Sequence, residues 1–263
     1  MRAAFVLALL LGLALASACE AGGSRANVPR IEPAELVPVG EGTVGPVLSK
    51  SDVPLSGPRV DAEPGDFILE NDGMVAVVSR EYGSVVDFGP KGARDELSGV
   101  SPAIHDPLSA VRAPVVLCSQ PRPGVLRVEH RASTLPIRLV TFFTFRGQAL
   151  LVDSIAVPET GYASKMAVAI GERVSWGNVP TWIEGVGFAP ERGGEFTTRF
   201  IGRDGPGLSY AIGLADASRA LTKLSSVSVP GYYAQARTSE MVVADRAGSM
   251  RRSILLAASA SSM

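Results

Sequence analysis

Apolar residues in this chain come in short runs. From Asp61 onward nearly every run is four to eight residues long, β-branched or aromatic, and bounded by Gly, Pro, Asn or Asp, which predicts successive strands. The runs place strands near 67–70, 74–79, 84–88, 115–118, 125–130, 137–145, 149–157, 165–170, 196–201, 208–214, 227–229, 240–244 and 253–257. Roughly a dozen strands in one unit of ~200 residues predict an all-β fold, a large antiparallel β-sandwich or a barrel.

Three stretches say more than the rest. In residues 138–145, Leu139, Thr141, Phe143 and Phe145 share one face while Val140, Phe142 and Thr144 share the other. Both faces are largely apolar, so this strand is expected to be covered on both sides. Arg146-Gly147-Gln148 then reads as a tight connection into Ala149-Leu150-Leu151-Val152, a central hairpin. In residues 208–214, bulky side chains alternate with Ser209, Ala211 and Gly213, so the large face belongs to the core and the small face meets solvent or another backbone. Asn71-Asp72-Gly73 separates two strand-like runs and reads as a turn made by residues that tolerate positive φ.

The N-terminus sets the destination. Residues 1–18 carry one charge, Arg2, an apolar run and small residues at the end, the pattern of a secretory signal and too short for a membrane span. Leu15-Ala16-Ser17-Ala18-Cys19 resembles a bacterial lipoprotein signal, with Ala16 where that pattern usually has leucine; Ala16-x-Ala18 also fits ordinary signal cleavage. Residues 19–60, spaced with prolines, read as a lipidated or flexible linker and 61–263 as the sandwich domain. The expected location is therefore the bacterial cell envelope, lipid-anchored through Cys19, with plain secretion as the alternative. If Cys19 is lipidated, Cys118 is expected to be a buried thiol packed as a small hydrophobe; a Cys19–Cys118 disulfide requires that lipidation be wrong.

Removal of residues 1–18 leaves 24 basic against 26 acidic residues, a net charge of −2, which argues against a dedicated nucleic-acid binder. Only two histidines, His105 and His130, are present, in different segments and without Cys or carboxylate at ligand spacing, so no metal or other cofactor is implied. No Gly-x-Ser-x-Gly occurs, and the glycines of 185–187 and 202–207 read as turns rather than a dinucleotide fingerprint.

Carboxylates remain. Asp87, Asp95, Glu96 and Glu184 are the candidates for acid and base work on a glycoside, against the simpler reading that Asp87 and Asp95 satisfy turn amides. The segment 176–188 holds both tryptophans of the chain, with Asn178 and Glu184. An apolar ring face stacks on sugars while amides and carboxylates bind hydroxyls, so Trp176, Asn178, Trp182 and Glu184 form the candidate ligand-binding set; the alternative is that the two rings cap the core.

Gly65-Asp66-Phe67-Ile68-Leu69-Glu70-Asn71-Asp72, then Val85-Val86-Asp87-Phe88-Gly89 with Arg94-Asp95-Glu96-Leu97, and later Trp176-Gly177-Asn178-Val179 and Phe200-Ile201-Gly202-Arg203, resemble the N-terminal β-sandwich region that precedes PHP-type metallohydrolase domains in some secreted bacterial proteins. The resemblance spans about 61–215 and implies a stand-alone sandwich, since the histidine-rich hydrolase domain has no counterpart here. The region also resembles mutarotase-like supersandwiches, whose catalytic histidines find no equivalent positions. The sequence thus points to an exported, non-catalytic β-sandwich that binds a glycan or an envelope protein. The competing readings are a carbohydrate-active enzyme using paired carboxylates, and a remnant or partner of a metallohydrolase.

Overall fold

The structure, a computed structural model, describes residues 40–95, 97–105, 115–131, 137–158, 167–174, 181–188, 194–204, 207–215, 220–228, 235–244 and 251–260. These form two sheets of nine strands each, antiparallel throughout. The first runs, edge to edge, β1 (Thr43–Pro46), β2 (Phe67–Glu70), β3 (Met74–Val78), β4 (Val85–Pro90), β5 (Leu97–His105), β10 (Ala167–Val174), β17 (Gln235–Ala244), β16 (Ala220–Ser228) and β13 (Gly194–Thr198). The second runs β12 (Gly187–Phe188), β11 (Thr181–Ile183), β14 (Phe200–Asp204), β15 (Leu208–Leu214), β18 (Arg251–Ala260), β9 (Ala149–Pro158), β8 (Ile137–Arg146), β7 (Val125–Arg131) and β6 (Val115–Arg122). The antiparallel sandwich expected from the hydrophobic pattern is the fold observed.

The main core lies between the sheets. Leu69, Ala76, Val78, Val85, Phe88 and Val100 of the first sheet meet Leu126, Val128, Phe143, Phe145, Leu150, Ile201, Ile212 and Leu256 of the second, all buried. On β8 the outward-facing Val140, Phe142 and Thr144 are buried as well, as the two-sided apolar pattern requires. Val125, Val140 and Phe142 form their own cluster on that outer face. The β8–β9 hairpin closes through Gly147 at φ 56°, a left-handed backbone that favours glycine.

The Asn71 turn forms by a different device from the one expected. Gly73 has no positive φ, and among the described residues none other than glycine does. Instead the Asn71 side-chain oxygen accepts hydrogen bonds from the Gly73 amide at 3.1 Å and the Met74 amide at 2.8 Å, an Asx turn. Its side-chain amide donates to the Gly147 carbonyl at 2.6 Å, tying the hairpin of one sheet to that of the other.

Residues 40–60 belong to the folded unit rather than to the linker read over 19–60. β1 pairs with β2, and Val47, Val53, Val60 and Ala62 bury against Val77 on the outer face of the first sheet. The prolines here do not prevent docking, because the segment takes its amide partners from turns and side chains. Val47 donates to the Asp66 carbonyl at 2.8 Å, and Ser49 caps a single 3-10 turn at Lys50–Asp52. The free thiol expected at Cys118 is not found either. Cys118, half-buried on edge strand β6, is disulfide-bonded, and the one other cysteine of the chain, Cys19, lies outside the described residues.

One run that reads as a single strand is divided between the sheets. Residues 196–201 contain no Gly or Pro, yet β13 ends at Thr198 at the edge of the first sheet and β14 begins at Phe200 in the second. The buried Thr198 hydroxyl donates to the Phe200 carbonyl at 2.8 Å, and the Leu214 amide donates to the Arg199 carbonyl at 2.9 Å. Arg199 is the crossing point.

Candidate functional site

Sequence reasoning offered two clusters, the carboxylates and the tryptophan segment. The structure separates them. Glu96, Trp176, Asn178 and Cys19 lie outside the described residues, as does the side chain of His105; the remaining candidates are placed as follows.

Asp87 is fully buried on the outer face of β4, beneath the 47–62 segment. Its two carboxylate oxygens accept from the Asp61 amide at 2.7 Å and the Ala62 amide at 2.9 Å, holding that segment down. Asp95 is equally buried and accepts from the Phe88 and Leu97 amides, each at 3.3 Å. Its other oxygen, Oδ2, has no hydrogen-bond partner among the described residues, and the Asp87 carboxyl is its side-chain neighbour. Burial, reinforced by the negative charge of Asp87, pushes Asp95 up to about 9, and burial pushes Asp87 up to about 6. A pair in which one member stays protonated is an acid–base signature in an open cleft. Here both carboxyls are sealed from solvent, so the pair is placed to pin a chain segment rather than to meet a polymer.

Because both folded-state pKa values lie above the ordinary carboxylate value of 3.8, the folded protein holds more protons than the unfolded chain between about pH 4 and 9. The pair's contribution to stability is therefore complete below pH 4 and is lost as pH rises toward 9. Asp95→Asn, which mimics the protonated acid, is expected to flatten the alkaline side of this decline. Urea midpoints measured from pH 5 to 9 for the two proteins check it.

Glu184 is not an unengaged carboxylate. It accepts from the Arg199 amide at 3.1 Å and from Arg199 Nε at 2.8 Å, and a further contact joins its Oε1 to Nη2 of the same guanidinium. It clamps the residue at which the chain crosses between sheets. Glu184→Gln is expected to lower the melting temperature by a few degrees while leaving ligand binding in place; thermal denaturation paired with a binding assay separates the two.

His130 faces inward on β7, fully buried, with Nε2 3.3 Å from the Tyr82 carbonyl. Burial holds its pKa below the usual imidazole value, so the neutral ring is the stable form. Among the described residues no group of three His, Cys, Asp or Glu side chains is placed to hold a metal ion.

Trp182 is the candidate that opens onto space. On β11, Thr181 and Ile183 point into the core and are buried, while Trp182 points outward and is 37% exposed. It therefore does not cap the core. Its ring packs on Phe200 with centroids 5.2 Å apart and planes tilted by 34°. The sheet register continues from it in one row: Phe188 and Gly202 are its cross-strand partners, Gly202 pairs with Ala211, Ala211 with Ala257, and Ala257 with Ala149. Two aromatic rings thus stand at the end of a floor that carries only methyl groups or hydrogen. At ~4.8 Å per strand the floor from Trp182 to Ala149 is roughly 19 Å long.

Two parallel rows wall this floor, each two residues along the strands and so about 7 Å away. One is polar: Asp204, Ser209 and Ser259 are successive cross-strand partners, and the Ser209 hydroxyl donates to Asp204 Oδ1 at 2.5 Å. The other is apolar: Phe200, Gly213, Leu255 and Leu151. The aromatic end of this floor and its polar row, from Trp182, Phe188 and Gly202 to Ala257 and Ser259, line an open trough of about 730 Å³, within the size range of small-molecule sites; Ala149 and the apolar row lie beyond it. Arg203 turns inward instead, 3% exposed, with Nη1 donating to the Thr181 hydroxyl at 3.0 Å. Asp204, Ser259 and Phe188 were not among the residues singled out from sequence. The alternation of Ser209, Ala211 and Gly213 was the one available signal, and Ser209 and Ala211 of that small face are indeed part of this trough.

The two nine-stranded antiparallel sheets make a β-sandwich, and its fold is similar to those of solved proteins. The likeness is to a candidate aldose 1-epimerase from Escherichia coli K12, with a TM-score of 0.51, 11% identity, and coverage of 74% of this chain and 98% of that one. A candidate mutarotase from Salmonella typhimurium (TM-score 0.44, 9% identity, 74% and 90% of the two chains) and a GH36 α-galactosidase from Geobacillus stearothermophilus (0.48, 7%, 74% and 40%) are also similar. At these identities the likeness is one of fold. No protein-family model matches the sequence, and no curated protein matches it.

Proposed function

We propose that this chain is an exported β-sandwich that binds a glycan in the trough beside Trp182, without catalysing its turnover. The carrying observation is the single row in which Phe188 and Trp182 end a floor of Gly202, Ala211, Ala257 and Ala149. A flat ring lies on such a floor without steric obstruction, its apolar face against the aromatic rings and its hydroxyls toward Asp204, Ser209 and Ser259. Among the described residues the trough offers one exposed carboxylate, Asp204, whereas glycoside cleavage uses two. Calorimetry of the full chain against a panel of soluble envelope oligosaccharides tests this reading; no binding to any of them counts against it.

Export rests on residues 1–18. A sulfur that carries lipid cannot also form a disulfide, so the bridge at Cys118 supports release from the membrane over anchoring through Cys19, and the intact mass of the exported protein distinguishes the two. A separately encoded PHP-type metallohydrolase is the partner that the sequence resemblance proposes, to be sought by co-purification from envelope fractions.

The enzymatic alternative draws on the candidate aldose 1-epimerase of the same fold. It requires Asp204 to act on a sugar at the trough, and it predicts that Asp204→Asn abolishes turnover while the melting temperature stays unchanged.

A further inference from the structure

Resting on the glycan reading, we infer that the trough prefers saccharides bearing a free ammonium group, an amino sugar without its acetyl group, over neutral or anionic ones. Asp204 is exposed and ends the polar wall at the aromatic end of the floor. Trp182 pairs with Gly202, and Asp204 lies two residues further along the same strand and the same face, a diagonal neighbour of the indole. Diagonal neighbours on one sheet face stand about 7–8 Å apart, close enough for a cation to touch both. An ammonium held there gains the carboxylate on one side and the negative face of the indole on the other.

The basic residue nearest in sequence, Arg203, borders the trough but is only 3% exposed. Arg203 points to the opposite face of β14 and is buried against Thr181. The rest of the polar wall, Ser209 and Ser259, is neutral, and Ser209 donates to one of the two Asp204 carboxylate oxygens. An anionic sugar would meet Asp204 with like charge; a neutral sugar would leave it with hydroxyl partners only. An acetylated amino sugar loses both the charge and the compact ammonium head.

The full chain is titrated with glucosamine oligomers, N-acetylglucosamine oligomers and glucose oligomers of matched length and linkage, at low and high salt. The glucosamine oligomer is expected to bind about tenfold more tightly than either neutral series. Added salt should narrow that margin, because the carboxylate is exposed. In Asp204→Asn the preference for the glucosamine oligomer over the neutral ones should vanish, whatever affinity the neutral oligomers themselves lose. Equal affinity for all three, or an advantage that survives in Asp204→Asn, overturns the ammonium inference and leaves the glycan reading standing. Absence of binding in every series removes both. If Asp204→Asn does not fold, the ranking of the three series by the native chain and its salt dependence still decide.

Discussion

Replacing Asp87 with alanine is expected to lower unfolding free energy by roughly 3 kcal/mol, because it leaves the Asp61 and Ala62 amides without the acceptors that a fully buried carboxylate supplies. For a domain of this size that corresponds to a drop in melting temperature of roughly 6–12 °C. The affected amides are those of Asp61 and Ala62, so the 47–62 segment should loosen first, with Val47, Val53 and Val60 losing their cover over Val77. Hydrogen exchange at those amides should rise before the rest of the sandwich responds. Asp87→Asn should fall between the native protein and the alanine variant, since the amide keeps one acceptor and turns donors toward the other N–H. A variant that keeps its melting temperature but loses an activity on carbohydrate would instead place Asp87 in a catalytic role.

Trp182→Ala should act the opposite way, on binding rather than folding. Its outward ring packs on Phe200, itself 37% exposed on the same outer face, so the stability lost should be about 1 kcal/mol. Loss of the stacking face should weaken oligosaccharide binding by ~2 kcal/mol, about thirtyfold in Kd. Trp182→Phe should recover part of the affinity. Calorimetric titration alongside a thermal melt provides both readings. A binding loss no larger than the stability loss would show that the ring is scaffold.

What the sequence revealed follows physical range. Period-two alternation is local, so the two-sided burial of Phe142 and Phe143 and the small face of Ser209, Ala211 and Gly213 were visible without a structure. The division of 196–201 was not, because nothing in Phe196-Thr197-Thr198-Arg199-Phe200-Ile201 breaks a strand. The break depends on Glu184 and Leu214, residues from other elements that engage Arg199. The strap at 40–60 was missed for a related reason: its prolines mark a linker by composition, while its docking depends on Asp66, just before β2, and Asp87 on β4. Trp182 was found by its chemistry, but its neighbours Ser259, Ala257 and Ala149 reach it only through register across five strands. Glu184, selected beside it as a ligand-binding group, proved to be engaged by Arg199.

The central claim is that a saccharide occupies the trough at Trp182. Photochemical oxidative footprinting of the full chain, with and without a saturating oligosaccharide, tests it at the residue level by mass spectrometry. The account predicts protection of Trp182, Phe188 and Phe200, with exposed Val115 and Leu117 on the far edge strand unchanged. Binding that leaves Trp182 and Phe188 as reactive as in the free protein, or that protects Val115 and Leu117 instead, would contradict it.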